Sequence, residues 1–254
     1  MNGMKDIGVQ KSTERMLSRN LKLRNRKITH YFYISSVVYM SAIVIIGFWP
    51  TYFSHVFSEL PVRHWSMHAH ALIFIGWLLI LLVQTSLVAS GNTKIHRKVG
   101  VAGGFYVILM IIFGLAAAFM LPLARIESGE WTLDRGASFL IHPLGDLIIF
   151  LGFFIPAMYY RRKSEIHKRL ILIASLMLIF PGIARIGMEQ IPMFIVWLTP
   201  LLVGAALDLK FKKKVHVVYF IGIAGLVLSV LGRYYIANSE LWIEIGRYLL
   251  SIFQ

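Results

Sequence analysis

Apolar residues run along this chain in blocks of about twenty, separated by short polar turns that are mostly basic. Seven blocks stand out, at roughly 29–53, 67–90, 99–122, 137–160, 170–188, 191–209 and 216–237. About 20 apolar residues is the length an α-helix needs to cross the hydrocarbon core of a bilayer. The strands of a membrane β-barrel would be about ten residues long with alternating polarity, and these blocks do not alternate. The pattern predicts an all-α integral membrane protein, a seven-transmembrane-helix bundle without a domain boundary over residues 29–237. Residues 1–28 are polar and basic and lack the apolar core of a secretory signal; they predict a flexible or interfacial arm. Residues 238–254 predict a short interfacial amphipathic helix opened by Ser239 as N-cap. Its apolar positions are Trp242, Ile243, Ile245, Leu249, Leu250 and Phe253.

Composition agrees and narrows the chemistry. Hydrophobic residues make up 57% and charged residues only 15%, against roughly 25% charged in soluble chains. Cysteine is absent, which excludes disulfides, thiolate metal sites and a thiol nucleophile. The net charge of +14 is an orientation signal before it is a binding signal. Lys5, Lys11, Arg15, Arg19, Lys22, Arg24, Arg26 and Lys27 precede the first block. Lys94, Arg97 and Lys98 lie in one turn on the same side, Arg161, Arg162, Lys163, Lys168 and Arg169 in the next, and Lys210, Lys212, Lys213 and Lys214 in the last. The opposite loops and C-terminus hold Arg63, Arg125, Arg135 and Arg247. The positive-inside rule then places the N-terminus in the cytoplasm and the C-terminus outside. The partner this implies is the lipid bilayer, with some attraction to anionic lipid; nucleic acid has no place in the account. Trp49, Trp65, Trp131 and Trp242 read as anchors at the outer boundary.

Gly100 and Gly104 form a GxxxG pair, extended by Gly114 and Ala118. It reads first as close packing inside the bundle and second as the seam of a homo-oligomer. Pro181, Gly182 and Pro200 predict kinks. Asp208 reads as half of a surface ion pair beside its basic run.

The histidines carry the candidate chemistry. His70 near the start of the second block is followed by His96 in IHRK, and His142 near the start of the fourth by His167 in IHKR. Each unit is an outer histidine, a span, a basic turn, then Ile-His and two basic residues. Two hairpins thus repeat in one orientation, and a repeat axis along the membrane normal would bring His70 towards His142 and His96 towards His167. Facing histidines can supply both axial ligands of a b-type haem, which needs no cysteine.

Four histidines on four consecutive helices, paired second with fourth and third with fifth, resemble the cytochrome b561 type of transmembrane electron carrier. IHRKVGVAGGFYVILMIIFGLAAAF is similar to that family's His-Arg-x-x-Gly opening of a core helix. The chain is equally similar to a group of bacterial membrane proteins known only as a domain of unknown function, which pair such a segment with a later one like HKRLILIASLMLIFPGIAR. The resemblance covers about residues 64–190 and rests on His70, His96, His142 and His167. It implies haem b as cofactor, a redox partner or further membrane subunit, and the inner membrane of a bacterium. The ascorbate-binding signature of the b561 type is not evident.

A metal-ion site competes with haem. His64 and His68 are spaced to share a helical face, whereas His70 is about 200° round from His68. Across the bundle stand His142 and Asp146, and further on Arg185 and Glu189. Imidazole and carboxylate donors suit Zn, Fe or Cu, so His64, His68, His70, His142, Asp146 and Glu189 form a second candidate set. Arg185 and Glu189 also read as a structural ion pair. Asp146 is the residue least at ease in a membrane, and His142, Arg185 or a bound cation are its expected partners. Gln84 lies on the face of His70 and Trp77. Three functions follow: an electron carrier with His-ligated haem, an oxidoreductase in the broad sense; a metal-dependent membrane enzyme with an outer-side site; or a non-catalytic membrane subunit or assembly factor.

Overall fold

A computed structural model of the chain describes residues 2–56 and 65–253. Helix α1 spans Asn2–Phe48 and runs on through a π-helical turn, Trp49–Phe53, and one more turn, Ser54–Val56. Pro50 lies within that π-turn; it lacks the N–H that an α-helix would use there, and the wider winding accommodates the loss. The remaining helices are α2 (Trp65–Ala89), α3 (Thr93–Glu127), α4 (Leu133–Tyr159), α5 (Ser164–Ala184), α6 (Gln190–Lys212), α7 (Val217–Ile236) and α8 (Glu240–Ser251). No strand occurs among the described residues. Among them, seven helices, α1 to α7, are long and apolar enough to cross a membrane.

The expected segments are recovered, with two differences. Residues 2–28 continue α1 without a break, where the sequence suggested a flexible or interfacial arm. Residues 10–28 contain neither Pro nor Gly and are rich in Lys, Arg and Leu, all good helix formers. At the other end, Ser239 caps α8 by accepting from the Trp242 N–H at 3.3 Å, as the sequence predicts. That helix is also bound into the fold. Gly246 sits so close to Ala137 of α4 that a Cβ there would meet its Cα at 2.8 Å, Leu250 is fully buried, and the Trp242 Nε1–H donates to the Ala137 carbonyl at 3.0 Å.

Helices α1 to α5 close a ring in which each packs on the next and α5 returns to α1; α6 and α7 pack on α5 from outside it. Helix α5 is therefore central, with 61% of its apolar window buried against 33% for the next most buried span. Trp77 of α2 fills the ring's middle. Its Nε1–H donates to Ser175 Oγ of α5 at 3.2 Å, and its ring meets Phe150 and Phe154 of α4 edge-on at 5.7 and 5.8 Å. Trp197 of α6 donates to the Leu176 carbonyl at 2.7 Å. The closest backbone approach in the ring is Gly47 against Gly182, where a Cβ would overlap the facing backbone. The GxxxG pair does not play that part: a Cβ at Gly104 would meet nothing within 4 Å.

Candidate functional site

The Lys/Arg-rich end of the bundle holds two of the four repeat histidines. His96 lies in the first turn of α3 and His167 in the first turn of α5. They are near enough for the charge of one to be felt at the other. His167 Nδ1 stands 2.8 Å from the Ala157 carbonyl. That carbonyl lies in the last turn of α4, whose final four C=O groups have no partner within the helix. The contact fixes the ring's tautomer and leaves Nε2 as a free lone pair. His96 hydrogen-bonds the Gln84 backbone carbonyl. Its own Nδ1 and the Gln84 Oε1 are buried without a hydrogen-bond partner. Two unpartnered polar atoms in one neighbourhood require an explanation, because each costs about 1–3 kcal/mol unless something is bound there.

Beside this cluster the same end is tied by an ionic network. Arg169, 1% exposed, places one terminal nitrogen on both Asp208 oxygens at 2.6 and 2.5 Å. Its other terminal nitrogen donates to Glu165 at 2.9 Å, and its guanidinium lies 5.0 Å from the Tyr219 ring centre. Lys212 bridges Glu165 and Asp208, and Lys168 pairs with Glu165 at 2.6 Å. Asp208 is thus a buried anchor, 6% exposed, and not the surface partner its basic surroundings suggested. Its side chain turns inward because Arg169 occupies the facing helix.

At the opposite end Asp146 pairs with Arg233 of α7 at 2.5 Å. The partner is none of those expected. Arg185 instead donates to the Pro181 carbonyl at 2.7 Å and lies over the Phe48 ring. Glu189 is exposed at the N-terminus of α6 and makes no ion pair among the described residues, so the expected Arg185–Glu189 pair is not formed. Arg233 donates also to the His142 carbonyl at 2.6 Å and the Ser229 carbonyl at 3.1 Å. His142 lies one turn from Asp146 on the α7-facing side of α4, with its ring exposed. Leu147, Phe150 and Phe154 form the side of α4 that meets α2 and α3. His70 turns to α3, with Nδ1 3.3 Å from the Phe113 carbonyl and its ring stacked on Phe74 at 4.2 Å. No hydrogen bond or ring contact joins His70 to His142. His68 Nδ1 meets the Tyr52 hydroxyl at 3.0 Å. His64 lies outside the described residues.

Among the described residues no three His, Asp or Glu side chains converge in a way that could hold a metal ion. Bis-imidazole ligation of haem asks for less: two rings, each with Nε2 available and Nδ1 held elsewhere. His167, with its Nδ1 tied to the Ala157 carbonyl, has that arrangement; His96 shares its end of the bundle, but its Nδ1 is unpartnered. His70 and His142 are not brought together: His70 has its Nδ1 on the Phe113 carbonyl of α3, and the His142 ring is exposed. Sequence reasoning missed Arg233 and Arg169. The signal available was the depth of Asp146 and Asp208, which demands a cation, but the choice among arginines depends on helix rotation. Comparison with protein-family models, curated proteins and solved structures finds no match for the chain.

Proposed function

We propose that the protein is a membrane electron carrier that holds one b-type haem at its basic end, with His96 and His167 as axial ligands. The observation behind this reading is the pair itself. His167 has its Nδ1 tied to the Ala157 carbonyl, and near it stands the half-buried His96, whose Nδ1 is buried and unpartnered. Bound haem would supply one-electron chemistry, its potential set by axial ligand and burial. Gln84 would offer its unpartnered Oε1 beside the pair, and Trp77, Phe150 and Phe154 would shut water out from the membrane side. Read with the positive-inside rule, this end faces the cytoplasm, where a redox partner or a neighbouring membrane subunit would exchange the electron.

The aromatic packing at the ring's centre supports a second reading, a non-catalytic membrane subunit in which Gln84, His96 and His167 surround water. Absorption spectra separate the two. Protein expressed with haem precursor should show the bands of six-coordinate haem b, lost in His96→Ala and His167→Ala and kept in His142→Ala. A colourless wild type, folded and fully supplied with haem, overturns the first reading in favour of the second. Loss of colour in His142→Ala would return the ligand to the opposite end.

A further inference from the structure

A notch of about 230 Å³ opens at the basic end between α1 and the turn that joins α2 to α3. From α1 it is lined by Leu23, Arg26, Lys27 and His30. These positions are spaced i, i+3, i+4 and i+7, so they form one stripe of the helix. Across from them lie Ala89, Ser90 and Gly91, small residues that leave the floor open. Gly91 takes a positive φ of 82° to make the turn, and a Cβ there would meet nothing within 4 Å.

The charge in this notch is uncompensated. Among the described residues neither Arg26 nor Lys27 forms an ion pair, although Lys168, Arg169 and Lys212 on the same end all do. The charges of Arg26 and Lys168 both reach His30. The notch also stands at a definite level. The apolar part of α1 begins directly after Lys27, and Ile28 and Tyr31 present exposed apolar surface there. Two cations immediately before a membrane-spanning stretch lie where headgroup phosphates lie. The volume falls below the roughly 300 Å³ at which sites for organic ligands begin, so it suits a headgroup and not a cofactor.

We propose that this notch is a specific site for an anionic phospholipid. Arg26 and Lys27 hold the phosphate, His30 and Ser90 offer further hydrogen bonds, and the acyl chains run down the exposed face of α1 past Ile28 and Tyr31. The site is separate from the His96–His167 pair and does not depend on haem.

The test uses the detergent-purified full chain titrated with phosphatidylglycerol, phosphatidylcholine or inorganic phosphate, with bound lipid counted by native mass spectrometry. Phosphatidylglycerol should bind at least tenfold more tightly than phosphatidylcholine, and inorganic phosphate should not displace it. R26Q/K27Q should weaken phosphatidylglycerol about tenfold or more, as the loss of two basic contacts predicts. S90W, which fills the notch without altering charge, should weaken it comparably. K210Q/K214Q removes the same charge from the same end away from the notch and should change binding less than twofold. Equal losses in the two double variants would mean diffuse attraction and overturn the proposal. Unchanged binding in S90W would overturn it too. Displacement by inorganic phosphate would make this a free-phosphate site and overturn the lipid assignment.

Discussion

The two ends of the bundle each bury an Arg–Asp pair, and the pairs are embedded differently. At the basic end Arg169 and Asp208 belong to a network in which Glu165, Lys168 and Lys212 stand ready as alternative partners. At the opposite end Asp146 has, among the described residues, Arg233 alone, and that guanidinium also donates to two backbone carbonyls. Charges near the lipid headgroups can be shared among several long side chains, because water and neighbouring ions are close. A carboxylate deeper in a helix must find a single partner of the right reach. The networked pair therefore tolerates damage, and the solitary pair does not.

The largest effect is expected where there is no alternative partner. Arg233→Leu strands a buried carboxylate and should cost about 3–5 kcal/mol, the usual penalty for removing one member of a buried pair. The fall should be visible as a lower unfolding temperature in detergent. Adding Asp146→Leu to that variant should recover most of the loss, since the stranded charge goes with it. If Arg233→Leu alone is neutral, Asp146 has another partner and the contrast between the two ends fails.

Arg169→Leu should cost less, about 1–3 kcal/mol, although Arg169 is the more deeply buried arginine. Asp208 keeps Lys212, and Glu165 keeps both Lys168 and Lys212. A double-mutant cycle on Arg169 and Asp208 should give a smaller coupling than one on Arg233 and Asp146. The reverse order would mean that desolvation of Arg169 outweighs the network around it.

The seven spans were legible because hydropathy over about twenty residues is a property of the sequence itself. The cap at Ser239 was legible for the same reason, being local. Asp146 was recognisable as needing a partner, yet its partner lies 87 residues away on α7, and only the rotation of two helices decides that Arg233 faces it. The repeat of IHRK and IHKR put His96 and His167 at one depth, since each opens a helix after a basic turn, and the charge of one reaches the other. It gave no warning that His142 would face α7, because one residue's shift in register turns a side chain about 100° round a helix. Asp208 was misread for its company: a Lys-rich stretch looks solvated, and the burial comes from α5.

The opposite end is closed by α8, which has no counterpart at the basic end among the described residues. Gly246→Leu puts a side chain into the Ala137 backbone and should cost about 1–3 kcal/mol. It should also make residues after Ala237 sensitive to protease while α1 to α7 stay protected. Protection unchanged from wild type would show that α8 is held without the close approach, by Trp242 and by Arg247, whose Nε–H donates to Asp134 at 2.6 Å.

The smallest effect belongs to the basic end and depends on pH. His216 caps α7, its Nδ1 accepting from the Val218 N–H at 3.3 Å. Burial, then the charge of Arg169, with Lys212 adding to it, hold its pKa below the ordinary 6.5; Asp208 and Glu165 oppose this without reversing it. The neutral ring is thus favoured by the fold, and protonation would both remove the acceptor and place a cation at a helix N-terminus, where the helix dipole disfavours it. A group with a lowered folded pKa contributes stability above its unfolded pKa, and that contribution is lost as pH falls through the folded value. The wild type should accordingly lose some stability on acidification below about pH 6.5. His216→Asn keeps a capping oxygen that cannot titrate, so it should hold wild-type stability at neutral pH and flatten the acid slope in this window. His216→Ala should lose about 1 kcal/mol at neutral pH and also flatten the slope. A slope unchanged in both variants would assign the acid sensitivity to another group in the Glu165–Arg169–Asp208 network, and the cap would then be independent of the charges beside it.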